Sequence, residues 1–291
     1  MIADIIRQLR VHQWVKNLLL MMPLMLAHHL TDASALQSVA IAMISFSFVA
    51  SAIYIVNDVV DLDSDRAHPT KRHRPLAAGR LRVRDAMIAV PVLVGISLAM
   101  SLAWLPTSFT MWLGVYLVVT SAYSFGLKRL MLVDVLVLSG LYTLRIMAGG
   151  SAAGVVVSPW LLMLSLFLFT SLAFVKRYTE LLDAEARSVD GAQGRGYVVS
   201  DLQMIRTIGP AVGIMAVLVL VQYITSHDVT RLYTHPTWLW LVAPVLMFWI
   251  ARIWFIANRR EMHDDPIVFA VRDITSYVVA AIIAAIALIA R

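Results

Sequence analysis

Nine apolar stretches, at about residues 18–30, 37–57, 86–104, 109–126, 132–150, 159–176, 208–226, 236–256 and 273–290, limit what this chain can become. Most are long enough for an α-helix to cross a hydrocarbon core of ~30 Å, which takes roughly 20 residues. The first is short and crosses only by tilting or by extending towards Trp14. A chain that is 60% hydrophobic, with mean hydropathy +0.79, cannot hide that much apolar sequence in a soluble core. The expectation is an all-α integral membrane protein of nine transmembrane helices. Cysteine is absent, which excludes disulfides and thiolate metal sites. Residues 1–16 are amphipathic and basic, with no small-residue cleavage site after a short apolar core, so no cleavable signal peptide is visible.

Loop charges orient the helices. A net charge of +6 and a pI near 9.8 would suggest nucleic acid as a partner of a soluble protein, but the positive-inside rule explains them better here. With the N-terminus in the cytoplasm, 21 of the 24 Lys and Arg residues fall in inside segments. Arg231 and Arg291 fall outside, and Arg145 lies within a span. The long connections, about 58–85, 177–207 and 257–272, are then all cytoplasmic, and long loops in compact proteins usually carry function. No linker or low-complexity tract divides the chain, so residues 1–291 are expected to form one domain.

Acids gather where the second stretch ends, in Asn57-Asp58-Val59-Val60-Asp61-Leu62-Asp63-Ser64-Asp65. Carboxylates beside hydrocarbon cost several kcal/mol unless paired or used. If the helix runs on, Asp58, Asp61 and Asp65 share a face at i, i+3 and i+7. With the Asn57 amide beside them they suit Mg²⁺, which takes one or two carboxylates and completes its shell with water and phosphate oxygens. Arg66, Lys71, Arg72, Arg74, Arg80, Arg82 and Arg84 follow at once. Acids followed by bases can hold a metal and a diphosphate together. The plainer readings are a solvated helix end for the acids and headgroup attraction for the bases. Pro69, Pro75 and Gly79 mark the basic stretch as a structured turn.

Other charged positions flank the spans. Arg10-Val11-His12-Gln13-Trp14-Val15-Lys16-Asn17 reads as phosphate contacts or as an interfacial anchor. Tyr123 and Lys128 close the fourth span, and Asp134 sits just inside the fifth. Arg145, about three turns further on, is either functional or one partner of a structural pair, since intramembrane Arg usually faces a bundle interior. The sixth span ends in Lys176-Arg177-Tyr178-Thr179-Glu180, with Asp183 and Glu185 beyond, a patch richer in base than the first. Arg195-Gly196-Tyr197 and His263-Asp264-Asp265-Pro266 are weaker signals that ordinary loop polarity also explains. Tryptophans near span ends fit an aromatic belt.

Asn57-Asp58-x-x-Asp61-x-x-x-Asp65, followed by His68-Pro69 and Arg74-Pro75-Leu76-x-x-Gly79, resembles the UbiA prenyltransferase superfamily along essentially the whole chain. That resemblance implies a nine-helix bundle around a central cavity, with Mg²⁺ and a diphosphate substrate held at its cytoplasmic end. It also implies a second, paired-aspartate motif near the sixth helix, where this chain has Lys176-Arg177-Tyr178-Thr179-Glu180 instead. The departure, with Arg10-x-x-Gln13-Trp14-x-Lys16-Asn17 and Tyr123-Ser124-x-x-x-Lys128, looks more like the decaprenyl-phosphate phosphoribosyltransferase branch.

By that resemblance the chain would move the phosphoribosyl group of phosphoribosyl diphosphate (PRPP) onto a polyprenyl phosphate and release diphosphate, in a cell (inner) membrane. Asp58, Asp61 and Asp65 would bind Mg²⁺, with Asn57 orienting a carboxylate. Gln13, Lys16, Lys71, Arg72, Arg74, Tyr123, Lys128, Asp134, Arg145, Lys176 and Arg177 would contact the two phosphorylated substrates. The alternative enzyme is a UbiA-type transferase that moves a polyprenyl group from its diphosphate onto an aromatic acceptor. It needs a second acid cluster, to which Glu180, Asp183 and Glu185 are the nearest approximation. A lipid or ion transporter would instead spread its charges along the mid-membrane.

Overall fold

The computed structural model describes residues 2–67, 71–191, 194–226, 229, 232–262 and 265–291. His68, Pro69, Arg231, His263 and Asp264 of the sequence expectations lie outside the described residues. Contacts divide the chain into two compact units, Met1–Gly126 with Leu144–Val157, and Leu127–Thr143 with Ser158–Arg291. The described structure is helical apart from turns and one isolated β-bridge, Gly191 to Val198.

In the first unit α1 (Ile2–Gln8) leads to a 3-10 helix, Val11–Met21, and then α2 (Met22–Leu26) and α3 (Ala33–Val60). α4 (Leu62–Ala67), a short 3-10 turn at Lys71–His73, α5 (Val83–Trp104) and α6 (Thr107–Phe125) follow. α7 (Val133–Ala153) gives its second half to this unit. Asp32 starts α3 by accepting the N–H groups of Ser34 and Ala35, at 2.9 and 3.2 Å. α3 packs on α5 through Ser45 and Ser97, each hydroxyl donating to the other's carbonyl at 2.8 Å. Reciprocal bonds of this kind satisfy polar groups that lipid cannot. Away from that contact α5 is apolar and outward: only 17% of its apolar window is buried, as a lipid-facing helix requires.

The second unit holds the first half of α7, α8 (Pro159–Ala186), α9 (Leu202–Ile224), α10 (Val242–Asn258), α11 (Pro266–Arg272) and α12 (Ile274–Ala290). Glycines set its closest packing. A Cβ on Gly209 would stand 2.1 Å from the Trp254 ring, and one on Gly213 2.6 Å from Ile250 and 2.8 Å from Ser171 Oγ. This small-xxx-small pair lets α8, α9 and α10 close around Ser171, whose hydroxyl donates to Gly209 O at 2.8 Å and accepts from Trp254 Nε1 at 3.0 Å.

Among the described residues seven helices are long and apolar enough to cross a membrane, and α11 with α12, bent by 80°, would make an eighth. The stretch expected at 18–30 is not among them. It begins inside the 3-10 helix, and Pro23 opens α2, which lasts only five residues. The 3-10 form has a physical reason. Its three-residue turn rises ~6 Å, the same rise as four residues of α-helix. Trp14 and Asn17 therefore stay in step with Ser51 and Ser47 of α3, donating at 3.0 and 2.8 Å. Two other boundaries differ from expectation. α8 runs on to Ala186, carried by helix formers such as Glu180, Leu181, Leu182 and Ala184. The loop expected at 257–272 contains the short helix α11, which gives way at Asp273; that residue caps α12 through Ser276 N–H at 2.8 Å while Arg252 grips it with two bonds, 2.6 and 3.0 Å.

Candidate active site

α3 carries the first cluster. Ser47, Ser51, Tyr54 and Asp58, spaced 4-3-4, make one polar stripe on an apolar helix. The N-terminal segment lies antiparallel along it: Asn17 on Ser47, Trp14 on Ser51, Arg10 over the Tyr54 ring at 5.2 Å, and Gln8 on Asp58. Asp58 is 3% exposed. Its Oδ2 accepts Gln8 Nε2 at 2.7 Å, while its Oδ1 meets both Arg10 and, at 3.1 Å, Arg74. Arg74 also reaches Asp65 Oδ2 at 2.5 Å, so one guanidinium bridges acids seven residues apart. The i, i+7 face expected from the sequence is therefore present. The helix pauses only at Asp61, whose N–H still donates to Asn57 O at 2.9 Å and whose carbonyl accepts Asp65 N–H at 2.8 Å. Arg74 is presented by a turn in which Ala78 N–H donates to its carbonyl and Gly79 takes φ +71°.

Deeper in the same unit Arg145 is 4% exposed. It donates to Asn17 Oδ1 at 3.1 Å and to the Tyr116 hydroxyl at 3.0 Å, and lies over the rings of Tyr116 and Phe46 at 4.8 and 5.7 Å. The interior position expected for an intramembrane Arg holds, and its partners include an amide, a phenol and two π-faces.

The second cluster belongs to the other unit. Asp134 and Arg177 are both wholly buried, with Oδ2 and Nε 2.9 Å apart. Arg177 also meets Glu180, and Arg195 comes to 3.6 Å from Asp134 Oδ1. Arg195 is brought there because Gly196 nests on the 127–131 turn, where a Cβ would be 2.4 Å from Arg129 O. The Tyr197 hydroxyl accepts Leu132 N–H at 2.9 Å, and burial pushes that phenol above its ordinary pKa. Lys176 pairs with Asp265 at 3.2 Å beside Tyr142, Leu172 and Pro266.

Of the expected site residues, the structure brings Asp58, Asp65 and Arg74 into one cluster and Asp134 and Arg177 into another. Lys16 is buried on the 3-10 helix and Gln13 half-buried there, Lys128 and Tyr123 are buried, and Lys71 and Arg72 are exposed beside Arg74. Asn57 and Asp61 are half-buried beside the first cluster.

A model of the UbiA prenyltransferase family matches residues 18–277. The chain belongs to the UbiA prenyltransferase family. It is 39% identical to the uncharacterized protein y4nM of Sinorhizobium fredii over 284 residues, 97% of this chain and 55% of that one. It is 42% identical to the decaprenyl-phosphate phosphoribosyltransferase of Corynebacterium glutamicum over 185 residues, 62% of this chain and 56% of that one. The chain thus spans about half the length of these two curated relatives. A UbiA homolog from Archaeoglobus fulgidus, solved bound to GPP and Mg²⁺, superposes with TM-score 0.73 at 17% identity, covering 99% of both chains. The fold is therefore that of UbiA proteins, and the chain is a multi-pass membrane protein of that family.

Within this UbiA chain, sequence reasoning missed Gln8, Tyr54 and Tyr116. The 4-3-4 polar stripe on α3 was the signal that would have pointed to the N-terminal segment. Whether the acids fit Mg²⁺ can be tested on the residues themselves. No group of three His, Asp or Glu side chains converges as a metal cage among the described residues. Mg²⁺ needs only one or two carboxylates when water and phosphate supply the rest, and Asp58 and Asp65 both reach the same nitrogen, Arg74 Nη1. Gln8 Oε1, buried beside Asp58, finds no donor among the described residues, and a metal-bound water would supply one. The set fits.

Proposed function

We propose that this chain transfers the 5-phosphoribosyl group of PRPP to a polyprenyl phosphate, releasing diphosphate. The observation that carries this reading is the second cluster. Beside α8, Asp134 has Arg177 at 2.9 Å and Arg195 at 3.6 Å, and Arg177 also meets Glu180, so two guanidinium groups stand where the family resemblance implies a paired-aspartate motif. A donor and an acceptor that both carry phosphate call for cations at that end, whereas a second acidic metal site would serve a prenyl diphosphate and an aromatic acceptor. The likeness to the Corynebacterium glutamicum protein supports the same choice.

Asp58 and Asp65, with Asp61 and Asn57 adjacent, would hold Mg²⁺, which supplies Lewis-acid stabilisation of the departing diphosphate. The rest is the work of side chains. Arg74, Gln13, Lys16, Lys71 and Arg72 bind diphosphate oxygens, Arg74 as a fork and the lysines as point charges. Tyr123, Lys128 and Lys176 serve the acceptor phosphate. Arg145 in the first unit, and Asp134 and Arg177 in the second, are buried among their own partners and each supports the residues around it. As the bond from C1 to the diphosphate oxygen breaks, an acceptor phosphate oxygen forms the new bond to C1, and charge stabilisation and positioning provide the acceleration. The acceptor is already an anion and needs no strong base.

Nine crossings with the N-terminus and the site on the cytoplasmic face of the cell membrane complete the reading, supported by the loop charges. One family model spanning both units supports a single domain.

The test is transfer in detergent with Mg²⁺, labelled PRPP and polyprenyl phosphate. Label should enter the organic phase, vanish with EDTA, and fall about 10²–10³-fold in Asp58→Asn. Product from prenyl diphosphate plus an aromatic acid, with none from PRPP, would establish the other transferase reading.

A further inference from the structure

We infer that Arg10 is a diphosphate ligand that Asp58 holds until metal arrives, so that metal and diphosphate enter by exchange of partners. This rests on the metal–diphosphate reading of the first cluster, but not on the identity of the sugar. Arg10 stands at a fixed corner between α1 and the 3-10 helix. Its backbone is left-handed at φ 51°, ψ 49°, and its carbonyl accepts Gln13 N–H at 2.7 Å. A non-glycine residue in that region is uncommon and is kept only where its surroundings hold it.

From this corner the guanidinium is fixed over the Tyr54 ring and directs one nitrogen, Nη2, to Asp58 Oδ1. Its Nε and Nη1 have no acceptor among the described residues, and the side chain is 21% exposed. Most of a rigid five-donor fork is thus left beside the acids without a protein acceptor among the described residues, in the form that binds phosphate oxygens. Arg74 meets the same Oδ1. Two guanidinium groups on one carboxylate oxygen repel each other, and a phosphate bridging them relieves that.

Charge then dictates the order of events. Asp58 and Asp65 against Arg10 and Arg74 is a neutral set. A divalent cation alone must displace a guanidinium that gains nothing by leaving. With diphosphate present, the displaced guanidinium finds oxygens to bind. Metal and diphosphate should therefore strengthen each other, with a coupling of about 5–150-fold as is typical of linked sites, and Arg10 should be one source of it.

A purely structural ion pair predicts the opposite sign: removing it would loosen the segment and weaken both ligands. The experiment measures Mn²⁺ binding by electron paramagnetic resonance on the full chain in detergent, with and without inorganic diphosphate. In Arg10→Gln, Mn²⁺ alone should bind several-fold tighter than in the unsubstituted protein, while diphosphate binds several-fold weaker and the coupling shrinks. Arg10→Lys keeps the charge without the fork. It should leave Mn²⁺ alone unchanged and still weaken diphosphate, which covers the case in which Arg10→Gln does not fold. If either variant binds both ligands as the unsubstituted protein does, or Arg10→Gln weakens Mn²⁺, the exchange is wrong and the metal site stands. If the unsubstituted protein binds neither ligand, both readings fall.

Discussion

Asp134 and Arg177 are opposite charges placed where no solvent reaches either. Removing one partner of such a pair strands the other, which typically costs about 3–5 kcal/mol, while replacing both with apolar residues is often neutral or stabilising. Arg177→Met should therefore lower the melting temperature in detergent sharply, and Arg177→Met with Asp134→Leu should recover most of the loss. A double variant no better than the single one would show that Arg195 and Glu180 carry the cost instead. Asp134 was legible in the sequence as a charge out of place, and so was Arg145, whereas Arg177 and Glu180 read as a charged helix end and Arg195 as loop polarity. Their partners were not legible, because spacing along a chain tells which residues share a helix face and nothing of what the tertiary fold sets opposite. The acid cluster shows the converse. Asp58 and Asp65 belong to one continuing helix, so the face they share could be read from spacing alone, whereas Gln8 reaches Asp58 across 50 residues and could not.

Among the elements, α9 is held by close helix packing. Gly209→Ala would put a methyl carbon 2.1 Å from the Trp254 ring, within the group of helices that meet at Ser171. Overpacking of this kind costs about 1–3 kcal/mol, and because Ser171 bonds to both neighbours the cost should appear in thermal unfolding. Unchanged melting of Gly209→Ala would mean that the three helices can separate without loss. The long spans were legible since apolar length determines a crossing helix almost alone. The 3-10 helix at Val11–Met21 was not: its residues would also suit an α-helix, and what selects the tighter turn is the match to the stripe on α3. The extension of α8 to Ala186 was hidden by its charges, which end an apolar stretch without ending a helix.

For the whole molecule, orientation can be tested directly, because the chain contains no cysteine to mask an introduced one. Ser64→Cys on α4 should react with a membrane-impermeant thiol reagent only from the cytoplasmic side, and Val156→Cys, at a position 94% exposed, only from the opposite side. Labelling of both from one side would overturn the positive-inside assignment. Family membership was legible from the Asp-rich motif and its basic sequel, since those residues are fixed by chemistry rather than by packing. Division into two compact units was not, because α7 runs unbroken through residues assigned to both. The antiparallel strap of residues 8–17 has a consequence for biogenesis. A ribosome adds about 5–20 residues per second, so Gln8 and Arg10 exist seconds before Asp58 is made, and Arg74 comes sixteen residues after it. The acid is thus born with its first counter-charge already waiting, and α3 can enter the bilayer without first carrying a bare carboxylate to its edge.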